Sequence, residues 1–443
     1  MPKIWSGGAS REGSIDISDL MVEDDTVIDQ NFLEFEALAL IAYHLEIFRE
    51  GLIASEDSVS ILRSLLLLLD RDIVLKPELE DVHGNVEEFV IRNSGKAGDN
   101  LRLFLSRNEQ IHTDIRLYGR SRLLELAFHS AEISEAALKK RDEFSGSMPG
   151  YTHYRQGMVV SVKTYMDYIA AIFENSATEM LETARKMEYL PLGYGSGFGS
   201  LSDADFSKIS ESLGMSPVPV NPQYLSSRRG IDEADILYPV LKLMINISRI
   251  SQDLIMFSGD EIPLFNLPDG FVTGSSLMAN KRNPDFLEML QGYASEQIGS
   301  FNSLISLVAN KSSGYHRDFQ ISKKIMVRSL QRSISILKIL PEFFSGIGFD
   351  AEASGNIIKN SSYATVNAKK LFSEGHTWKR AYSEAGRMVR EGQELEKIKP
   401  GDATTITSEN LSSIKDAIRQ EISRYDDISD KLIALAKKLT VSN

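Results

Sequence analysis

The stretch GSSLMANKRNPD, from Gly274 to Asp285, gathers unusual reactive polarity into a few residues. Two serine hydroxyls follow a glycine, Lys281 and Arg282 come next, and Asn-Pro-Asp reads as the start of a helix. Asn283 is placed to cap that helix, Pro284 suits its first turn and Asp285 suits its positive end. A helix N-terminus with an ammonium and an amide beside it can hold a doubly charged carboxylate. A flexible Gly-Ser-Ser can carry a hydroxyl into such a site and out again. The plainer reading of the same residues is a solvated loop that ends in a helix cap.

Positioning such a loop falls to helices. Phe32–Leu52 places apolar residues three and four apart and ends near Gly51, and Lys163–Leu190 runs on without Pro or Gly. Further long stretches lie near 236–258 and 284–310, and no comparable set of alternating strands is evident. The expected fold class is all-α, with long helices whose apolar surface calls for a bundle and for partner chains. Polar NSGKAGDN (93–100) reads as a linker, and FFSGIGFDAEASGN (343–356) as a break. The expected parts are therefore an N-terminal helical domain at 1–99, a central long-helix bundle at 100–346 and a C-terminal helical domain at 347–443. The Gly-rich LPLGYGSGFGS (190–200) lacks the Lys-Ser/Thr ending of a phosphate loop, and no strand precedes it. KIKPGDATTITSEN (397–410) reads as a loop.

Composition narrows the functional classes. The 443 residues are 42% hydrophobic and 25% charged, ordinary for a globular protein of two or three domains. A net charge of -13 disfavours nucleic acid as a partner, since phosphate contacts need clustered Lys and Arg. The absence of cysteine excludes disulfides, thiolate metal sites and a Cys nucleophile, and it fits a reducing, cytoplasmic setting. The opening MPKIWSGGAS has no apolar run of the signal-peptide kind. The LLLLL run at 65–69 falls far short of the roughly 18–20 residues of a membrane helix.

Four more segments carry candidate chemistry, each with a structural reading beside it. Ser106 and Glu109 in SRNEQIHTDIRL have capping-box spacing. Glu80, His83 and Glu87 in EDVHGNVE share a helical face, which could be a solvated polar stripe. They make a poor metal site, with one His and no second cluster to complete it. Tyr151, Thr152 and His153 in MPGYTH could be a loop feeding a helix. YHRDFQISK spans Tyr315 to Lys323.

Together these residues resemble a known family. GSSLMANKRNPD is similar to the GSSxMPxKxNP motif of the fumarase/aspartase superfamily, with Ala279 where that motif has proline. MPGYTH, SRNEQIHTDIRL, EDVHGNVE and YHRDFQISK resemble MPGYTHLQ, SRNDQVATDLRL, EDVHxxIE and YNRDLQEDK of argininosuccinate lyases, in the same order. Weaker similarity runs from KIWSGG to about ATVNAKKLFSEG.

The resemblance implies reversible anti-elimination of argininosuccinate to arginine and fumarate, in a homotetramer whose active sites draw on three chains, with no cofactor or metal. By position it implies Ser275 as the base, with Ser276 shaping the loop or bonding substrate. Lys281 and Asn283 would stabilise the aci-carboxylate dianion, and His153, partnered by Glu288, would serve as acid or position it. Ser106, Arg107, Asn108, Thr152 and Arg229 would bind substrate carboxylate. Tyr315, Gln320 and Lys323 would meet the arginine end, with His83 nearby.

The departures cluster around substrate recognition. HTGRSRN is RLFLSRN here, SDRDF is SSRRGI, the Asp of NSxD is Tyr224, an acidic pair is Ile321 and Ser322, and GGRF is GGAS. A lyase acting on another N-substituted aspartate, one acting on adenylosuccinate, and a non-catalytic scaffold of the same fold are the competing readings.

Overall fold

In a computed structural model the chain is described over residues 24–442; the KIWSGG and GGAS segments lie outside them. Among the described residues the helices of ten residues or more run in order as α1 Leu33–Arg49, α2 Ser55–Leu69, α3 Val82–Ser94, α4 Arg107–Glu143, α5 Val162–Lys186 and α6 Ile231–Phe257. They continue as α7 Asp285–Val308, α8 Gln320–Gly346, α9 Ala364–Ser373, α10 Trp378–Arg390 and α11 Ser408–Ser442. The fold is mostly helical. An antiparallel hairpin, β1 Ser147–Thr152 with β2 Arg155–Ser161, interrupts it, and two-residue strands pair at Phe265–Asn266 with Gly348–Phe349 and at Thr273–Gly274 with Arg282–Asn283.

Local chemistry sets the helix ends. α1 stops because Gly51 adopts φ 65°, which lets its N–H donate to Phe48 O and that of Leu52 to Ile47 O. α4 starts on the capping box read from the sequence: Ser106 Oγ accepts from the helix backbone while Ser106 N–H donates to Glu109 Oε1 at 2.7 Å. Two expectations change. NSGKAGDN is a continuation of α3 into a 3₁₀ turn, Gly95–Asn100, rather than a free linker. Gly98 makes this possible by pressing its backbone on α3, where a Cβ would lie 2.7 Å from Ile91 Cα. MPGYTHYRQ is a hairpin rather than a loop, because residues 147–152 find a register partner in 155–161.

The core runs through the antiparallel pair α4 and α5, with α8 laid on α4, and α6 against α5, α7 and α8. The LLLLL run lies inside it, with Leu65 and Leu68 buried. α11 returns to α4 and to the N-terminal pair α1 and α2, where Arg63 donates twice to Thr440 O, at 2.6 and 3.1 Å. Asp167 on α5 holds the 397–410 loop by accepting from Thr405 N, Thr405 Oγ1 and Ile406 N. No helix among the described residues is long and apolar enough to cross a membrane.

Two buried polar contacts fix α4 and the segment before it. Asp232 on α6 accepts from Arg116 Nη1 at 2.6 Å and Arg228 Nε at 2.8 Å, and lies 2.8 Å from His112 Nε2. Burial opposes its ionisation, and the bond from His112 and the charges of Arg116 and Arg228 outweigh that, so its pKa is lowered. Ahead of α4, His44 Nε2 donates to Leu101 O at 2.8 Å and Tyr43 Oη to Leu103 O at 2.7 Å. Directly after these anchors Phe104 sits at φ 61°, half exposed, where the family pattern HTGRSRN has glycine.

Asp232→Asn strands the buried Arg116 guanidinium, while Arg228 keeps Asp235, and is expected to cost about 3 kcal/mol in urea unfolding. Wild-type stability in the variant would show the network to be dispensable. Burial lowers the His44 pKa from 6.5 to about 4. The unfolded chain therefore takes this proton first, so stability is full above pH 6.5 and declines as pH falls toward 4, by about 3 kcal/mol. His44→Gln, which keeps a donor for Leu101 O, should flatten the acid-side decline between those two pH values. An unchanged slope in the variant would exclude His44 as its source.

Candidate active site

The first half of the site is built where α4 begins. Glu109 is fully buried and its carboxylate is shared: Oε1 closes the capping box, while Oε2 accepts from Gly193 N at 2.7 Å and Gly195 N at 2.8 Å. Tyr194 Oη donates to Asn108 O at 2.8 Å, and Ser196 Oγ lies 3.2 Å from Ser106 Oγ. The Gly-rich loop at 190–200 thus clamps the start of α4 and presents Ser106, Arg107 and Asn108, all partly exposed. Burial raises the Glu109 pKa against the lowering effect of its three backbone donors.

Arg107 reaches across to the EDVHGNVE segment. Its Nη1 donates to Asp81 Oδ2 at 2.8 Å and lies 3.4 Å from Glu80 Oε2, while Nη2 is 3.8 Å from Glu87 Oε2. Burial works to raise the Asp81 carboxyl, but His83 and Arg107 outweigh it and hold the pKa below the usual value. Asp81 also caps α3 through Gly84 N at 2.8 Å. Only glycine fits at that turn, since a Cβ on Gly84 would stand 2.2 Å from Leu79 O. Arg317, two residues after Tyr315, donates to Glu80 Oε1 at 3.0 Å and so closes this side.

Arg229 is buried beneath the same region. Its Nε donates to Glu233 Oε1 and Nη2 to Phe319 O, both at 3.2 Å, and its guanidinium lies 5.8 Å from the Tyr315 ring centroid. Gln320 opens α8 and is partly exposed. Lys323, one turn on, is 2% exposed. Its ammonium donates to Asp29 Oδ1 at 2.5 Å and lies 3.5 Å from Asp25 Oδ1. His83 is buried on α3, with Nδ1 3.0 Å from Glu36 Oε1.

The second half stands out from the chain. Thr273 pairs with Asn283 and Gly274 with Arg282, so the loop between them projects from two pinned feet at the start of α7. Arg282 is paired with Asp269, and Thr273 Oγ1 donates to Asp285. Ser275 Oγ accepts from Met278 N at 3.1 Å and Leu277 N at 3.3 Å. Leu277 is 89% exposed at the tip. Asn283 is not the helix cap expected from the sequence. It is engaged in the extended pairing, and Pro284 takes the cap position without a side-chain bond. Thr152 and His153 lie at the β1–β2 turn, where His153 and Tyr154 both have positive φ, 53° and 56°. That is the geometry of a two-residue hairpin turn that normally uses Asn and Gly, and it holds the His153 ring out in the open. Glu288 is exposed on the first turn of α7.

Within one chain, then, His83, Ser106, Arg107, Asn108, Arg229, Tyr315, Gln320 and Lys323 belong to one neighbourhood linked by ion pairs and packing. Thr152, His153, Ser276, Lys281, Asn283 and Glu288 make no side-chain hydrogen bond or ion pair among the described residues. Sequence reasoning missed Glu109 as the hub for the Gly-rich loop, whose alternating glycines were the available signal. It also missed the acids Asp25, Asp29, Glu36 and Asp114 around Lys323 and His83; they are scattered over three helices, and no spacing reveals them.

A family model described as Lyase matches residues 68–299. The argininosuccinate lyase of Sorangium cellulosum is 32% identical over 389 residues, covering 86% of this chain and 89% of its own. That of Thermotoga neapolitana is 30% identical over 401 residues, covering 89% and 99%. Among solved structures, EDDS lyase in complex with formate matches with a TM-score of 0.72 at 16% identity, over 98% of this chain and 94% of its own. The native form of fumarate lyase:delta crystallin from Brucella melitensis matches with a TM-score of 0.70 at 15% identity, over 86% and 94%. The structural likeness speaks for the fold, and the sequence likeness, spread over most of both chains, goes further: this chain belongs to the argininosuccinate lyase family.

Proposed function

We propose that this protein catalyses the reversible anti-elimination of argininosuccinate to arginine and fumarate, as a cytoplasmic homotetramer with active sites shared between chains. The observation that carries the reading is the pinned, projecting loop that offers Ser275 and Lys281 together at the start of a helix. In the reaction Ser275, as alkoxide, takes the proton from the carbon next to a substrate carboxylate. The electron pair left behind moves into that carboxylate, giving a dianion held by Lys281, Asn283 and the N-terminal amides of α7. Its collapse forms the fumarate double bond and breaks the C–N bond, and the guanidino nitrogen leaves as arginine after receiving a proton. His153, oriented by Glu288, supplies or positions that proton. Ser106, Arg107, Asn108, Thr152 and Arg229 hold the carboxylates, Ser276 steadies the loop, and Tyr315, Gln320, Lys323 and His83 shape the arginine end.

Two features support sharing between chains. The loop and the hairpin turn have no side-chain link to the neighbourhood of Arg107 within one chain. In addition, Tyr238 and Ile245 on α6, Met289, Ile298 and Ile305 on α7, and Ile321 and Ile339 on α8 are large apolar side chains left exposed on the long helices. A second reading, elimination from another N-substituted aspartate, draws on Lys323: its ammonium is already held by Asp29 and Asp25, which leaves Tyr315 and Gln320 to read the leaving group.

Release of fumarate at 240 nm, followed with argininosuccinate and other N-substituted aspartates, separates the two readings. Argininosuccinate alone is expected to turn over, and exclusive turnover of a different amine would move the substrate. Ser275→Ala should leave a folded oligomer with at least a hundredfold lower kcat, on the usual size of such losses; a variant that keeps most of its turnover would remove Ser275 as base. Mixing Ser275→Ala with Arg107→Ala chains should regenerate part of the activity that each lacks alone, because some mixed sites are complete. No recovery in verified mixed oligomers would contradict a site shared between chains.

A further inference from the structure

We propose that Glu36, His83 and Asp114 form a buried site for one divalent first-row transition cation, of the zinc, manganese or iron kind. The three come from α1, α3 and α4, and each offers a ligand atom, all within 4.8 Å of one another. They are 1%, 3% and 0% exposed. Neither ring nitrogen of His83 has a hydrogen-bond partner, and the oxygens of Asp114 and Glu36 Oε2 meet no donor, only each other's carboxyl groups. Buried polar atoms are nearly always bonded, and five such orphans facing one another point to a missing ligand.

The geometry fits an ion. His83 Nδ1 and Glu36 Oε1 approach to 3.0 Å without forming a hydrogen bond. Two ligands on adjacent vertices around a metal with bonds of about 2.1 Å sit about 3.0 Å apart in an octahedron and about 3.4 Å apart in a tetrahedron. The charge balance fits as well. Lys323, the nearby ammonium, is bonded to Asp29 and Asp25, so a cation between Glu36 and Asp114 would supply the positive charge nearest to them. One imidazole nitrogen with two carboxylates suits a borderline cation better than the all-oxygen sets of calcium or magnesium. Gln110 Nε2 donates to Glu36 Oε1 at 2.7 Å and orients it, as outer partners of metal ligands do.

The ion would tie α1 and α3 to α4 two turns beyond Ser106, Arg107 and Asn108. It positions that end of the site and takes no part in the elimination; because His83 is also placed at the arginine end, the test reads metal content and stability rather than turnover.

The test uses full-length protein unfolded in urea with chelator, then refolded with or without Zn²⁺, so that burial is no barrier to entry. The expected result is one zinc per chain by elemental analysis after desalting, a higher thermal midpoint, and a visible absorption band when Co²⁺ replaces Zn²⁺. Glu36→Gln and Asp114→Asn, which keep side-chain shape, should each weaken binding tenfold or more and abolish the thermal shift. Wild-type protein that retains no zinc and shows no shift would overturn the proposal. So would variants that bind as tightly as wild type, since the metal would then lie elsewhere.

Discussion

The ammonium of Lys323 is the contact on which the rest of this architecture leans. It is removed from water, and its bond to Asp29 spans 294 residues of sequence. Desolvation works against its charge, and Asp29 and Asp25 outweigh that, so the group stays protonated. The bond welds the short helix Asp25–Asp29 to α8, one turn from Gln320 and two from the Tyr315 loop. Asp29 reaches further: its Oδ2 accepts from Val82 N at 3.1 Å and so seats the start of α3, where Asp81 and His83 stand. A single ion pair thereby sets the mutual placement of three segments that are far apart in sequence.

The candidate site divides into two mechanical regimes. The neighbourhood of Arg107 is rigid, because every element in it is capped or ion-paired to another through buried groups. The Ser275 loop and the His153 turn are anchored only at their feet, and their side chains face solvent. This division matches chemistry in which one half recognises a substrate and the other must close over it. It also puts the strained φ values of His153 and Tyr154 on the half anchored only at its feet, where no packing holds the side chains.

Much of this was legible in the sequence. Helical periodicity gave the long helices, and the Ser106–Glu109 spacing gave the cap of α4, because these signals are local. The Ser275 loop was legible as a polar segment leading into a helix for the same reason. The His153 hairpin escaped because its turn lacks the Asn-Gly pair that marks such turns, leaving β1 and β2 to be fixed by pairing. Asn283 as a cap was a fair local reading that a two-residue strand pairing overrode. Wholly illegible was the convergence of Glu36, His83, Asp114 and Lys323, since it depends on helices brought together from opposite ends of the chain. RLFLSRN is intermediate: the departure from glycine was visible at Phe104, yet the backbone kept the glycine-like turn because Tyr43 holds Leu103 just before it and the Ser106–Glu109 capping box holds the chain just after it.

The return of α11 to α1 and α2 bears on how the protein is made. Leu432 and Ala436 are buried in the core shared with the first helices, and Arg63 is satisfied by Thr440 O. A nascent chain leaves the ribosome N-terminus first, so α1 and α2 emerge long before the helix that covers them exists. Most of their apolar surface is met by α3 and α4, but the part that faces Leu432 and Ala436 waits for α11. Closure of that corner of the core is therefore a late event in folding, after the contacts among α1 to α4 are already available.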